Sequence, residues 1–324
     1  MKAALCHSFD GPEAIRIEET AAPSAAAGEV LVRVRAAALN FFDTLITRNK
    51  YQYKPSLPFS PGGEIAGEIL AVGSGVTGLR VGDRIMASLT YGGLAEQVVL
   101  EADRAVKLPD AVGFEVAAGV SVTYGTALHG LRDRGRLRPG ETLAVLGASG
   151  GAGLAAVEVG KALGARVIAV ASSDEKLAVC QAHGADALVN YSAGDLKETL
   201  RAAAGGEGVD AVYDCVGGKY AEPALRTLKW AGRFLVVGFA AGDIPKIPLN
   251  LVLLKSCDIV GVFWGEYTRR EPARNRANLA RILDWVATGT LRPHIHATFP
   301  LARAVDALQV LERREAVGKV IVTL

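Results

Sequence analysis

The residues of this sequence that most clearly indicate chemistry are the glycines of the run Gly147-Ala148-Ser149-Gly150-Gly151-Ala152-Gly153. An apolar segment at residues 143–146 precedes the run, and a helical pattern at residues 154–163 follows it. At such a strand-to-helix turn, glycines allow a tight bend and let backbone N–H groups approach a pyrophosphate. We therefore predict dinucleotide binding, with a turn needed only for packing as the alternative. The predicted contacts are Ser149, Gly150, Gly151, Ala152 and Gly153.

The end of the next predicted strand indicates which dinucleotide is bound. Sites for NADH usually carry an acidic residue there, which hydrogen-bonds the ribose 2′-hydroxyl. This sequence has Ser172 and Ser173 instead, with Lys176 one short turn later. Because these groups suit a 2′-phosphate, we predict NADPH as the cofactor, with an exposed helix lysine as the alternative for Lys176. The nearby Asp174 and Glu175 are expected to cap the next helix.

Strands and helices alternate through the middle of the chain. Apolar strands are predicted at residues 143–146, 166–171, 187–189, 209–215, 234–237 and 259–263. Helices are predicted between them at residues 154–163, 175–183, 196–204 and 220–230. This order is typical of a doubly wound parallel sheet with helices on both faces. We therefore predict a Rossmann NADPH-binding domain at residues 123–264.

The flanking parts of the chain have the pattern of short β-strands. In residues 30–35 three valines alternate with one leucine and two arginines, the period of a half-buried strand. Residues 65–72 form a mostly apolar strand, and closely spaced glycines supply turns. Many short strands with tight turns predict a compact barrel-like domain. A helix at residues 279–287 and a final strand at residues 319–324 are expected to complete it. The predicted barrel domain spans residues 1–122 and 265–324, and the sheet domain is inserted in it.

The bulk composition argues against several other classes of protein. The 36 Lys and Arg nearly balance the 34 Asp and Glu, which gives no basis for a nucleic-acid partner. No charge-free apolar stretch has the length of a membrane span, and the N-terminus has no apolar signal core. The four cysteines lack the spacing of a disulfide framework or a structural zinc lobe. We expect a cytoplasmic protein with no membrane partner.

Several short motifs occur in order along nearly the whole chain. Besides the glycine run and the serine pair, they are Asn40-Phe41-Phe42-Asp43, Lys50-Tyr51, Pro58-Phe59-Ser60-Pro61-Gly62-Gly63-Glu64, Gly184-Ala185-Asp186, Asp214-Cys215-Val216-Gly217-Gly218 and Gly318-Lys319-Val320. Together they resemble the quinone oxidoreductase branch of the medium-chain dehydrogenase/reductase superfamily. The resemblance implies a GroES-like β-barrel catalytic domain, a Rossmann domain and an active site in the cleft between them. It also implies a homodimer joined through edge strands, a role that residues 259–264 would suit, with a fully covered sixth strand as the alternative.

The resemblance further implies a reaction without zinc. Zinc-dependent members of the superfamily use a cysteine, a histidine that follows glycine, and a second cysteine or acid. Here the first position falls within Asn40-Phe41-Phe42-Asp43, and the histidine position is Gly63. His294 and His296 alternate in a predicted strand, but no third ligand is nearby. We therefore predict no metal site.

Candidate residues for catalysis and cofactor binding accompany the resemblance. Asn40 is expected to hydrogen-bond the acceptor carbonyl or the cofactor ribose, Tyr51 to stack on a ring and offer a proton, and Asp43 to orient its neighbours. Loop packing is the alternative for Tyr51. The other predicted cofactor contacts are Thr126, Tyr191, Val216, Phe239, Phe263 and Lys319. Core packing is the alternative for the strand-end residues such as Phe263, and a solvent-facing side chain is the alternative for Lys319.

Three functions are compatible with these residues. The first is hydride transfer from NADPH to a quinone, whose conjugation delocalises the charge that a metal would otherwise stabilise. The second is reduction of an α,β-unsaturated carbonyl or an enoyl-CoA, for which the candidate phosphate contacts are Arg269, Arg270, Arg274 and Arg276. Glu271 interrupts that cluster, and a solvated helix start explains it equally well. The third is an NADPH-binding structural or RNA-binding protein without enzymatic activity.

Overall fold

The computed structural model describes all 324 residues. The strands are β1 (Lys2–Cys6), β2 (Ile15–Glu19), β3 (Glu29–Leu39), β4 (Glu64–Val72), β5 (Arg84–Ser88), β6 (Gln97–Glu101), β7 (Val106–Lys107), β8 (Thr142–Leu146), β9 (Arg166–Ala171), β10 (Ala187–Asn190), β11 (Val209–Asp214), β12 (Leu228–Val236), β13 (Asp258–Gly261), β14 (Ile295–Pro300) and β15 (Lys319–Thr323). The α-helices are α1 (Phe41–Ile46), α2 (Phe114–Ala118), α3 (Ser121–Leu128), α4 (Gly151–Ala162), α5 (Asp174–Ala182), α6 (Leu196–Ala203), α7 (Ala221–Arg226), α8 (Leu249–Lys255), α9 (Trp264–Arg270), α10 (Pro272–Ala287) and α11 (Ala304–Glu312). No helix combines the length and apolar character needed to cross a membrane.

The chain packs into two compact units. Unit 1 comprises Met1–Val122, Glu271–Gly289 and Pro293–Leu324, and unit 2 comprises Thr123–Arg270 and Thr290–Arg292. The division after residue 122 coincides with the end of the first predicted domain segment. The later division falls after residue 270 rather than 264, because α9 groups with unit 2.

Unit 2 is built around a six-stranded sheet. Its strand order is β10-β9-β8-β11-β12-β13, and every neighbouring pair is parallel. All five residues of β8 are buried, as expected for a parallel strand that is covered on both faces. Helices α4 to α8 connect successive strands of the series. The predicted doubly wound, Rossmann-like sheet is therefore confirmed.

Unit 1 contains a mostly antiparallel seven-stranded sheet. Its order is β14-β15-β3-β4-β5-β7, and β6 also pairs with β3. The long strand β3 organises the sheet, because its first half pairs with β6, its second half pairs with β15, and β4 follows it on the other side. The pairing leaves β14 and β7 as the two ends of the sheet, so closure into a barrel stays a prediction.

One predicted helix is wrong. Residues 220–230 form the short helix α7 and then enter β12. That strand is irregular, since its register against β11 shifts after Leu228, and Ala231 has a left-handed φ of 57°. Trp230, the last residue of the predicted helix, lies in this irregular part of the strand and is exposed. Helices α1, α2, α3, α8 and α11 and strands β1 and β2 have no counterpart in the sequence-based predictions, whereas the strand predicted around His294 and His296 corresponds to β14.

Candidate functional site

The glycine run forms the turn between β8 and α4. Gly147 has a φ of 71°, which favours glycine, and Gly150 is the N-cap of α4 without any side-chain capping hydrogen bond. A Cβ at Gly153 would lie 2.1 Å from the carbonyl oxygen of Gly147, so only glycine permits this close approach. The first N–H groups of α4 thus have no capping side chain. With the helix dipole, they can bind the oxygens of a pyrophosphate.

Most of the predicted cofactor contacts lie just beyond the carboxyl ends of the strands in unit 2. In the order of the strands β8 to β13, they are Ser149, Ser172, Tyr191, Val216, Phe239 and Phe263. The carboxyl ends of parallel strands share one edge of a sheet, and ligands of doubly wound folds bind at that edge. The structure therefore brings these residues to the edge where a dinucleotide is expected, and Thr126 lies on α3 of the same unit.

The serine pair after β9 includes a helix cap that the sequence assigned to other residues. Ser173 is the N-cap of α5, and its hydroxyl oxygen accepts a hydrogen bond from the backbone N of Lys176 at 3.4 Å. A hydrogen bond with the same hydroxyl lowers the pKa of the Glu175 carboxyl. Asp174 instead accepts from the side-chain amide of Asn190 at 2.9 Å. The capping side chain is therefore Ser173, whereas the sequence pointed to Asp174 and Glu175.

The aromatic candidates of unit 2 differ in their surroundings. Tyr191 packs against Tyr220, with ring centroids 4.5 Å apart. Phe239 and Phe263 are exposed, and half of the Phe263 surface, 51%, is accessible, so core packing does not describe that residue. Val216, which follows β11, is buried and belongs to the hydrophobic core of unit 2, so core packing explains its burial.

Unit 1 contains a buried polar cluster that we define as Asn40, Asp43, Glu64, Ser121 and Lys319. Glu64, at the start of β4, lies at its centre and is fully buried. Its Oε1 accepts hydrogen bonds from Asn40 Nδ2 at 2.9 Å and from Lys319 Nζ at 2.6 Å. Its Oε2 accepts from Ser121 Oγ and from the backbone N of Val122, both at 2.8 Å. The carboxylate is therefore fully hydrogen-bonded, which makes its burial tolerable.

The ammonium group of Lys319 is committed to this cluster. Besides Glu64, it donates to the side-chain Oδ1 of Asn40 at 2.7 Å and to the carbonyl oxygen of Leu39 at 3.1 Å. The side chain is 4% exposed, so the solvent-facing alternative is wrong. An ammonium group has three N–H donors, and these three oxygens occupy them. The geometry therefore gives no support to the predicted cofactor contact from Lys319.

Asp43 is the second carboxyl group of the cluster. Its Oδ2 accepts from the backbone N of Asn40 at 2.7 Å, and its Oδ1 accepts from the backbone N of Gly62 at 3.1 Å. Complete burial raises the pKa of Asp43 to about 7, although the hydrogen bond from Asn40 and the charge of Lys319 act in the opposite direction. Asp43 thus fixes the start of α1 and the neighbouring Gly62 loop, which is the orienting part that the sequence predicts for it.

Tyr51 lies against the ring of Phe42. Their centroids are 5.4 Å apart with an interplanar angle of 22°, and the tilted ring of Tyr53 lies 5.9 Å from that of Tyr51. Burial, together with the nearby Tyr53 and Asp43, raises the pKa of Tyr51 to about 12. The phenol therefore stays protonated at neutral pH and can act as a hydrogen-bond donor. The stack of Tyr51 on Phe42 also agrees with the alternative, in which Tyr51 only packs its own loop.

The position at which a zinc ligand would stand is filled by an aromatic ring. A Cβ at Gly63 would lie 2.2 Å from Phe42 Cζ, so the ring lies where a side chain at position 63 would begin and would have to move to admit one. No group of three or more His, Cys, Asp or Glu side chains is arranged so that it could hold a metal ion. The residues of this chain therefore do not fit a tetrahedral zinc site.

Three residues of this region were not among the predicted site residues. Glu64 is the last residue of the motif at residues 58–64 and begins an apolar strand. An acidic residue at the start of such a strand is a signal of a buried charge with a partner. Phe42 lies in the motif at residues 40–43, but its contact with Gly63 depends on the tertiary fold. Ser121 gave no signal, since a serine before a helix normally indicates only a cap.

Comparison with known proteins agrees with this architecture. The model of the alcohol dehydrogenase GroES-like domain matches residues 26–110, and the zinc-binding dehydrogenase model matches residues 151–283. Quinone oxidoreductase-like protein 2 of Rattus norvegicus is 37% identical over 324 residues, which cover 100% of this chain and 92% of the relative. The structure of Escherichia coli quinone oxidoreductase complexed with NADPH is 30% identical, with a TM-score of 0.91 and 100% of both chains covered. Mycobacterial Rv1454c complexed with NADPH is also 30% identical, with a TM-score of 0.93 and 100% of both chains covered.

These similarities extend over both units. The GroES-like match lies within unit 1, and the full-length relatives include the parallel sheet of unit 2. One matched model carries zinc in its description, whereas the residues around Gly63 do not fit that metal. The chain belongs to the quinone oxidoreductase branch of the medium-chain dehydrogenase/reductase superfamily.

Proposed function

We propose that this chain is a zinc-independent reductase that transfers a hydride from NADPH to a quinone. The observation that carries the proposal is the replacement of metal-ligand positions by the Asn40 carboxamide and by Gly63, which packs against Phe42. These groups can donate hydrogen bonds and shape a pocket, but they cannot bind a Lewis acid. A conjugated acceptor needs less charge stabilisation than a simple ketone, so hydrogen-bond donors suffice. The relatives named as quinone oxidoreductases support the same acceptor class.

The nucleotide groups of unit 2 support NADPH. The uncapped start of α4 would bind the pyrophosphate, while Ser172 and the half-buried Lys176 would meet the 2′-phosphate. The E. coli and mycobacterial neighbours are NADPH complexes, in agreement with this assignment. When bound, NADPH supplies a hydride and becomes NADP⁺, so a quinone that also takes up one proton becomes a hydroquinone.

The polar groups of unit 1 would act on the acceptor. One N–H of Asn40 Nδ2 is bonded to Glu64, and the other is available to an acceptor oxygen. Such a donor stabilises the negative charge that develops on the oxygen as the hydride arrives. Tyr51, which is protonated at neutral pH, would supply the proton or a second hydrogen bond.

Steady-state oxidation of NADPH tests this function. The acceptor panel contains quinones, a simple enone and an enoyl-CoA, and NADH serves as the alternative donor. We expect turnover with quinones and a preference for NADPH. Turnover with the enone or enoyl-CoA alone would replace the quinone assignment, and no turnover with any acceptor would favour a non-enzymatic role.

The arginine residues predicted to attract a CoA phosphate are already paired. Arg269 Nη2 and Arg270 Nε both donate to Glu266 Oε1 at 2.6 Å, and these hydrogen bonds lower the pKa of Glu266 to about 2. Arg274 Nη1 donates to Glu271 Oε2 at 3.1 Å, and Arg276 Nη1 donates to the carbonyl oxygen of Asp103 at 3.2 Å. No observation therefore favours an enoyl-CoA over a quinone.

We also infer a homodimer from the exposed apolar surface of unit 2. On α8, Leu249, Leu253 and Leu254 are 78%, 78% and 69% exposed, and β13 is an edge strand with an exposed Ile259. Exposed leucines beside a free strand edge are typical of a surface that another chain covers. Sedimentation should give twice the chain mass, and Leu253→Lys should shift it towards the monomer. A wild-type monomer at micromolar concentration would contradict the inference.

A further inference from the structure

We propose that Lys319 and Glu64 are positioning residues, which hold the Asn40 carboxamide so that one N–H points to the acceptor oxygen. The inference rests on the proposed function, because the acceptor is the partner of that N–H. Lys319 would then act on a neighbouring side chain of the protein and would not contact the cofactor.

Strand pairing places Lys319 beside Asn40. Strand β15 pairs with the end of β3 so that Val320 is opposite Leu39, which puts the neighbouring residues Lys319 and Asn40 at the same level. Glu64 begins β4, which pairs with the other side of β3. The stem of Lys319 passes Gly119, where a Cβ would lie 3.2 Å from Lys319 Cγ. A larger residue there would push the stem away, so the backbone leaves room for this lysine.

The pair determines which way the Asn40 amide faces. Its oxygen accepts from the Lys319 ammonium at 2.7 Å, and its nitrogen donates to the Glu64 carboxylate at 2.9 Å. A rotation of the amide by half a turn would place N–H against the ammonium and the oxygen against the carboxylate. Both contacts would then be repulsive, so the pair excludes the flipped arrangement. The second N–H of Nδ2 has no partner within the protein.

The charges also change the donor strength of that N–H. A cation on the amide oxygen draws electron density from the nitrogen, and hydrogen bonds in series reinforce one another in a buried setting. The bond from Nδ2 to Glu64 works partly against this polarisation, so the main effect of the pair is on orientation. Glu64 also balances the charge of Lys319, which could not stay buried alone.

Kinetics with a quinone, combined with NADPH titration by fluorescence, test the inference. The variants are Asn40→Ala, Lys319→Met, the charge-balanced Lys319→Met/Glu64→Gln, and Asn40→Ala/Lys319→Met. Lys107→Met is the matched control, because Lys107 is bonded to Asp83 at 2.8 Å in the same unit but is half exposed. Circular dichroism establishes whether each variant is folded. If Lys319→Met does not fold, the charge-balanced variant replaces it in the comparison.

We expect Asn40→Ala to lower kcat about 100-fold, as for loss of one oxyanion donor. Lys319→Met and the charge-balanced variant should each lower kcat at least about tenfold, with the NADPH Kd changed less than about twofold. In the Asn40→Ala background, Lys319→Met should have no further effect, since the group that it positions is gone. Lys107→Met should behave as wild type.

Three outcomes would overturn the inference. The effects of Asn40→Ala and Lys319→Met could multiply, a folded Lys319→Met or charge-balanced variant could keep wild-type kcat, or the loss could fall on NADPH affinity. Wild-type protein without turnover would instead refute the proposed function, and the inference would fall with it. The wild-type assay therefore distinguishes the two failures.

Discussion

The two units prepare polar groups for binding in opposite ways. In unit 2, one stretch of sequence supplies the donors, because the backbone N–H groups at the start of α4 are left without a capping side chain. In unit 1, the donor of Asn40 depends on side chains far apart in the sequence, including Lys319, 279 positions away. The nucleotide site thus depends on local backbone shape, whereas the polar cluster depends on charge balance. Substitutions in the glycine turn of unit 2 should therefore fail for steric reasons, and substitutions in the polar cluster of unit 1 should fail for electrostatic reasons.

The largest effect should follow Gly153→Val. Its Cβ would lie 2.1 Å from the Gly147 carbonyl oxygen, and neither backbone segment can move away without opening the turn. We expect NADPH binding to be lost and unit 2 to be destabilised by several kcal/mol. Calorimetric titration and thermal unfolding measure both quantities. The control is Gly194→Ala, whose Cβ would meet only an ordinary contact at 3.6 Å, and a Gly153→Val protein with normal affinity would refute the steric account.

The next effect concerns the pH dependence of stability and belongs to unit 1. The pKa of Asp43 is about 7 in the folded protein against an ordinary value of 3.8, so the folded state binds more protons between these values. Its contribution to the free energy of unfolding is therefore greatest below about pH 4 and declines as pH rises to about 7.

Denaturant titrations of wild type and Asp43→Asn across this pH range isolate the contribution. The difference between their free energies of unfolding should change by a few kcal/mol in the stated direction and level off above pH 7. A difference that stays constant with pH would show that Asp43 is ionised in the folded cluster. The expected electrostatic control of the polar cluster in unit 1 would then be refuted.

A smaller effect is expected for Tyr51→Phe. The substitution keeps the stack on Phe42 and removes only the hydroxyl group. If the phenol donates a proton to the acceptor, kcat should fall roughly 100-fold while the NADPH Kd stays unchanged. Unchanged turnover would leave loop packing as the whole role of Tyr51 and would assign the proton to solvent.

The smallest effect should come from Lys176→Ala in unit 2. Loss of one charge-assisted contact to the 2′-phosphate should weaken NADPH binding by roughly tenfold and leave NADH binding unchanged. Ser173→Ala is an informative companion, since its hydroxyl caps α5 and its removal should cost about 1 kcal/mol of stability. Equal weakening of both nucleotides would show that Lys176 supports the helix and does not select the cofactor.

The sequence predicts unit 2 better than unit 1, for a physical reason. The parallel sheet follows from apolar strands that alternate with helices, and the glycine turn is contiguous, so short-range patterns contain the necessary information. The exception is β12, where the bulge at Ala231 depends on pairing with β11 and so gives no periodic signal.

In unit 1, the motifs identified Asn40 and Asp43 as candidate site residues, but they did not predict the hydrogen-bond partners of these two residues. The burial of Lys319 depends on the pairing of β15 with β3, which brings together residues from opposite ends of the chain. A lysine at the start of a strand gives no local sign of burial, so the sequence pointed to a contact with the cofactor or with solvent. The contact of Phe42 with Gly63 is hidden for the same reason, since only the folded loop places the ring there.

We propose that NADPH reduces a quinone on this chain without zinc. Quinone-dependent NADPH oxidation tests this proposal in protein dialysed against a strong chelator, with zinc content measured on the same sample. We expect one hydroquinone formed per NADPH consumed, at a rate that neither the chelator nor added zinc changes. Absence of turnover, or turnover that zinc restores after dialysis, would contradict it.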